Sequence, residues 1–139
     1  MWFKWEKNMY VSRYFPLSEQ KCKCGCGKGK LVDELLIELD NIREHYNKAT
    51  ILTSAFRCWN SHVNAYKLYY GNDWAKYITK NSYHLIGEAA DFYIPEIQLN
   101  DLYTYLLGKY PNKYGIIYYP KRGIVHLDIR KTKYHPEPV

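Results

Sequence analysis

Three features of this sequence predict an α+β fold, with a mainly antiparallel sheet flanked by helices. Apolar residues recur at helical spacing early in the chain, from Leu31 to Tyr46. Apolar and polar residues alternate in two later stretches, residues 89–94 and 124–130. Pro120, Lys121, Arg122 and Gly123 supply turn residues between two strand-like runs, which joins them as an antiparallel hairpin. Helices early and paired strands late are the order of an α+β domain.

The first element rests on Leu31, Val32, Leu35, Leu36, Leu39, Ile42 and Tyr46, which form one apolar stripe on a helix. Asp33 and Glu34 sit in its first turn, where the helix dipole favours negative charge. Ala49 to Phe56, rich in Thr and Ile, reads as a strand. Ser61 to Tyr70 reads as a second helix stopped by Gly71, and Leu99 to Leu107 as a third stopped by Gly108. Strands are predicted at Ala90 to Ile94, Ile116 to Tyr119 and Ile124 to Ile129. The tail from His135 to Val139, with two Pro, reads as loose.

A chain of 139 residues fits one domain, here residues 1–139, with no internal repeat and no long linker. The 47% hydrophobic and 17% aromatic content excludes a disordered chain. No apolar run approaches the roughly 18 residues of a membrane span, so a soluble protein without membrane insertion is expected. The formal charge of +6 favours anionic partners: nucleic acid, a membrane surface or acidic wall polymers. Nucleic acid is the weaker of these, because Lys and Tyr are scattered and no recognised binding motif is present. Met1-Trp2-Phe3-Lys4-Trp5-Glu6-Lys7 is broken by charges and lacks the apolar core of a signal peptide. Synthesis in the cytoplasm without a signal peptide is therefore expected.

The chemistry-bearing residues lie on two of the strands. Alternation puts Val125, Leu127 and Ile129 on one face and His126, Asp128 and Arg130 on the other. The same period sends Ala90, Phe92 and Ile94 to the core and leaves Asp91 facing away with Tyr93. If the two strands are neighbours, Asp91 and His126 share a side. His84, seven residues before Asp91, then folds back over it, with Gly87 easing the reversal. Two His and one Asp make a sensible catalytic zinc set, because three protein ligands leave a fourth position for water. Bound zinc brings the pKa of such a water down to about 7 and polarises a carbonyl, as amide hydrolysis requires.

Cys22, Cys24, Cys26 and Cys58 stand apart from this set. Their number allows a structural zinc site or disulfides, but the alternate spacing of the first three is unlike paired CxxC knuckles. Mostly reduced thiols are expected in the producing cell.

Ser82-Tyr83-His84-Leu85-Ile86-Gly87-Glu88-Ala89-Ala90-Asp91 matches the pattern SxHxxGxAxD, and His126 follows in a short strand near the C-terminus. Upstream lie Phe15-Pro16-Leu17-Ser18-Glu19, then Cys22-Lys23-Cys24-Gly25-Cys26-Gly27, and Thr53-Ser54-Ala55-Phe56-Arg57-Cys58 with Asn64. From about Phe15 to Arg130 the chain resembles the zinc D-Ala-D-Ala carboxypeptidase family, peptidase family M15. The likeness is strongest to its compact subgroup common in phages and prophages. The resemblance implies the fold shared with the hedgehog signalling domain and a bound Zn2+ held by His84, Asp91 and His126. It also implies hydrolysis of peptide bonds in peptidoglycan stem peptides, by a carboxypeptidase or endopeptidase acting as a monomer. A protein lacking a signal peptide would reach that substrate by phage lysis or with a virion. The alternative is an inert wall-binding or virion structural module of the same fold.

By the same resemblance Arg57 falls on an arginine that binds substrate, for which a guanidinium suits a peptide carboxylate. Ser82 matches the motif serine, which binds substrate or caps the turn. Several members place a Glu three residues before the last zinc His as general base, where this chain has Gly123. Others place a second His two residues before it, where this chain has Ile124. Asp128 is the nearest candidate for the base; it could equally hold a ligand in place or pair with Arg130. Glu88 is the next candidate.

Overall fold

A computed structural model describes residues 10–139. The N-terminal reading over Met1–Lys7 therefore falls outside the described residues. Short helix α1 (Leu17–Gln20) precedes α2 (Asp33–Tyr46), strand β1 (Ile51–Ser54), α3 (Trp59–Tyr70) and α4 (Trp74–Tyr77). Then come β2 (Ala89–Tyr93), α5 (Leu99–Lys109), β3 (Gly115–Tyr119) and β4 (Ile124–Asp128). Single 3₁₀ turns cover Gly71–Asp73 and Tyr83–Ile86. The strands form one antiparallel sheet in the order β1-β2-β4-β3. This is an α+β architecture, as the sequence predicts.

The alternation on β2 and β4 decides what the sheet does. Ala90, Phe92, Ile94, Val125, Leu127 and Ile129 join a core with Leu35, Leu36, Leu39 and Ile42 of α2 and Leu102 and Leu106 of α5. Each of the larger of these side chains, fully buried, contributes about 1.5–3 kcal/mol. With one face spent on the core, the polar residues of both strands must share the other face. Asp40, buried on α2, accepts hydrogen bonds from Ser12 Oγ (2.7 Å) and the Arg13 amide (2.9 Å), which ties residues 12 and 13 to that helix.

Most element boundaries differ from the sequence reading by one or two residues. The helix predicted to stop at Gly108 continues through it to Lys109. An interior Gly costs about 1 kcal/mol, less than is gained by burying Leu102, Leu106 and Tyr110 along the same face. α3 starts at Trp59, two residues before the predicted Ser61, and β1 is shorter than Ala49–Phe56. At the C-terminus, the Val139 amide donates to the Tyr118 carbonyl (3.0 Å), and His135 Nε2 lies 3.1 Å from the Lys113 carbonyl.

Gly87 has φ of +73°, and a Cβ there would sit 2.3 Å from the Lys30 carbonyl oxygen. Its own carbonyl accepts from the Val32 amide at 2.9 Å, which docks the turn onto the start of α2. Gly87→Ala is expected to destabilise the chain by about 2–4 kcal/mol through left-handed strain and this backbone collision. The measurement is a fall of roughly 10 °C in the thermal midpoint; an unchanged midpoint would contradict the account.

Candidate metal centre

The register of β2 on β4 sets Asp91 directly opposite His126. His84 enters from the Tyr83–Ile86 turn, whose first amides are organised by Ser82: its Oγ accepts from the His84 amide at 3.3 Å. All three side chains are buried, and one ligand atom from each lies within 4.8 Å of the others. His84 Nε2 is 3.2 Å and His126 Nδ1 2.9 Å from the same oxygen of Asp91, Oδ1.

The far nitrogen of each ring decides what the near one offers. His84 Nδ1 faces the Ala55 carbonyl at 2.9 Å, an acceptor only, so Nδ1 carries the hydrogen and Nε2 keeps its lone pair. His126 Nε2 faces Asp128 Oδ2 at 2.8 Å, so that nitrogen donates and Nδ1 is left for the centre. In the neutral rings, two nitrogen lone pairs and a carboxylate oxygen converge on one point. Such an arrangement repels itself unless a cation sits among the three. The donor set of two imidazoles and a carboxylate, each ring fixed by an outer partner, suits Zn2+.

A proton serves the same need when no metal is bound. Burial pushes His126 toward the neutral form, but the carboxylates of Asp128 and Asp91 outweigh it and raise its pKa to about 9. Burial likewise acts against ionised Asp91, and His84 and His126 overcome it to hold the carboxyl well below its usual range. A metal bound here would displace a proton from His126. Zinc affinity is expected to rise about tenfold per pH unit from pH 7 to about 9 and then level off. Calorimetry at pH 7 in buffers of different ionisation enthalpy should read release of about one proton per ion; no buffer dependence would contradict this.

Asp128 is fully buried and does not line the cavity at the three residues. Arg130 grips it with two parallel bonds, Nε to Oδ1 and Nη2 to Oδ2, both 2.7 Å. Burial opposes its charge, yet Arg130 and His126 keep its pKa far below normal. Gly115, its partner on β3, makes the space: a Cβ there would lie 2.3 Å from Asp128 Oδ2. Glu88 also lies away from that cavity.

Arg57 does border it, with Nη2 3.6 Å from Asp91 Oδ2 and 3.1 Å from Ser54 Oγ. Sequence reasoning missed the residue that steadies it, His62. This side chain is wholly buried on α3; Nε2 faces the Thr79 carbonyl at 2.8 Å, so Nδ1 accepts from Arg57 Nη1 at 3.2 Å. Burial lowers the His62 pKa, which keeps the ring neutral and able to accept. A polar residue five positions after Arg57, facing inward on a predicted helix, was the available signal. Also missed was Arg122 in the β3–β4 turn, stacked 3.7 Å over the Tyr69 ring and 4.5 Å over Tyr119. Arg57, Tyr66, Asp91, Tyr119 and Arg122 border both the small cavity at the histidines and an adjoining groove of about 440 Å³.

The model of one peptidase M15 family, described as peptidoglycan L,D-endopeptidase MepK, matches residues 29–134. The chain belongs to peptidase family M15. The matched span contains His84, Asp91 and His126 as well as Arg57, Ser82 and Asp128. No curated protein and no solved structure matches this M15 chain.

Proposed function

We propose that this M15 chain is a zinc-dependent endopeptidase that cuts peptidoglycan stem peptides at a bond between an L- and a D-residue. The observation that carries the reading is the convergence of His84 Nε2, His126 Nδ1 and Asp91 Oδ1, with both ring tautomers fixed from outside. The family description supports the substrate and the bond. When bound, zinc supplies Lewis acidity toward an amide carbonyl and lowers the pKa of a water.

The residues of the chain do the rest. Arg57 and Arg122 border the groove and orient the carboxylates of a stem peptide, Arg57 through paired hydrogen bonds. Ser82 both caps the turn that carries His84 and borders the small cavity, where its hydroxyl meets substrate. Asp128 holds His126 by Nε2–H and transmits the anchoring of Arg130. Asp91 is the one carboxylate among the residues bordering the small cavity, and its Oδ2 makes no hydrogen bond to either His. That oxygen instead faces Arg57 Nη2 at 3.6 Å, an ion pair that keeps Asp91 in the role of ligand.

The same observation favours a second reading, a wall-binding module that holds metal without turnover, because no carboxylate independent of the metal set borders the cavity. Incubation with purified muropeptides separates the two. Mass spectrometry should find cleavage within the stem or cross-link; loss of a terminal residue alone would make the chain a carboxypeptidase. Zinc-loaded protein that binds wall material and leaves every muropeptide intact would establish the module reading.

A further inference from the structure

A second cluster of metal-ligating side chains lies outside the histidine centre. Cys22 Sγ is 3.4 Å from Cys24 Sγ and 3.5 Å from Cys58 Sγ, Cys24 and Cys58 are 3.6 Å apart, and the Cys26 sulfur lies within 4.8 Å of the others. Sulfurs bound at about 2.3 Å around a tetrahedral zinc are about 3.8 Å from one another. A disulfide joins one sulfur to one other. Here Cys22, Cys24 and Cys58 are mutually near-equidistant, the pattern made by a shared central ion. From this geometry we infer that Cys22, Cys24, Cys26 and Cys58 form a structural zinc site.

The unusual Cys-x-Cys-x-Cys spacing is reconciled by the backbone. In an extended strand, alternate side chains are about 6.6 Å apart, too far for one ion. Gly25 and Gly27 instead take φ of +87° and +76°, in open surroundings where a Cβ would meet nothing. Their conformation, not their size, is what the loop uses: Gly25 turns the chain between Cys24 and Cys26, Gly27 turns it again as it leaves the run, and the three thiols face one point. Cys58 comes from the far side, immediately before α3, and its amide donates to Cys22 Sγ at 3.4 Å. Amide-to-sulfur bonds of this kind support thiolate ligands.

Charge agrees as well. Four thiolates around Zn2+ leave a net charge of about −2, and Lys21, Lys23, Lys28 and Lys30 flank or interleave the cysteines of this loop. Tetrahedral sulfur sets select zinc or iron among common metals; the closed four-ligand set and absence of an open position mark a structural role. The site ties the 22–30 loop to residue 58, next to Arg57. Its ion would fix one wall of the groove without touching substrate.

The test counts metal and reads its ligands. Wild-type chain purified under reducing conditions, without chelator or nickel resin, should hold two zinc per chain by elemental analysis. Cys24→Ser and Cys26→Ser, both at exposed positions, should each hold one. His126→Ala should also hold one, and its remaining site should give the thiolate-to-metal charge-transfer band after cobalt exchange, which Cys26→Ser should lose. Failure of the histidine centre and failure of the cysteine site are thereby distinguishable. Alkylation adds a readout on the unaltered protein: the four thiols should be protected with zinc and modified after chelation. Unchanged alkylation with and without zinc, iron in place of zinc, or disulfides in reductant-purified protein would each overturn the inference.

Discussion

His126→Ala is expected to lose the ion of the histidine centre and reduce muropeptide cleavage to background. The size of the effect follows from the geometry. His126 supplies one of three converging donors, and its ring is also the link through which Asp128 and Arg130 brace the centre. Two donors without the third leave an incomplete set for zinc. Because His126 faces away from the apolar side of β4, the fold should survive, and circular dichroism should match the wild type. Its neighbour provides the control. Asp128→Asn removes the charge that fixes the His126 tautomer but leaves all three ligands in place, so zinc affinity itself should fall by about 10–100-fold. A base would behave differently: Asn in its place would leave zinc binding intact and slow turnover by about 10² to 10⁴. Metal titration beside kinetics tells the two apart. Native zinc affinity in Asp128→Asn with activity lost would return Asp128 to the role of base.

Arg57→Ala is expected to keep both zinc and fold while lowering kcat/KM by about 10²-fold or more, the scale of a lost charged, paired contact to substrate. Its guanidinium is held by Ser54 and by the neutral ring of His62, which positions the fork before substrate arrives. Arg57→Lys should recover only part of the loss, since an ammonium cannot reproduce the paired geometry. His62→Gln probes the support. It leaves the charge in place, so it should raise KM more than it lowers kcat, whereas a merely structural residue would change neither at temperatures well below the melting point. Wild-type kinetics in Arg57→Ala would contradict the assignment of Arg57 to substrate.

Much of this protein is written in local patterns. The alternation of Ile124–Ile129 and Ala90–Ile94 determines which side chains reach the core, because side chains on a strand must change face at every residue. The stripe of Leu35, Leu36, Leu39 and Ile42 likewise specifies a helix and its buried face. These periods alone separate His126 and Asp128 from the core-facing residues of the same strand. The motif around His84 and Asp91 carries the family resemblance, and the family match over residues 29–134 agrees with it.

What only the tertiary structure decides is pairing across the chain. Nothing local in Asp128 shows that Arg130 closes on both of its oxygens or that Gly115 on β3 leaves room for that buried carboxylate; whether it acts as base or brace is what Asp128→Asn tests. His62 reads locally as one more helix residue, and becomes a support for Arg57 only because Thr79 accepts its other nitrogen. The cysteines show the same limit most plainly. Their spacing along the chain suits no common zinc knuckle, yet two left-handed glycines and the approach of Cys58 from 36 positions away gather the four sulfurs within 4.8 Å. Sequence periodicity fixes the face on which a side chain stands, whereas its chemical partner depends on register and chain reversals, which are set by packing of the whole molecule.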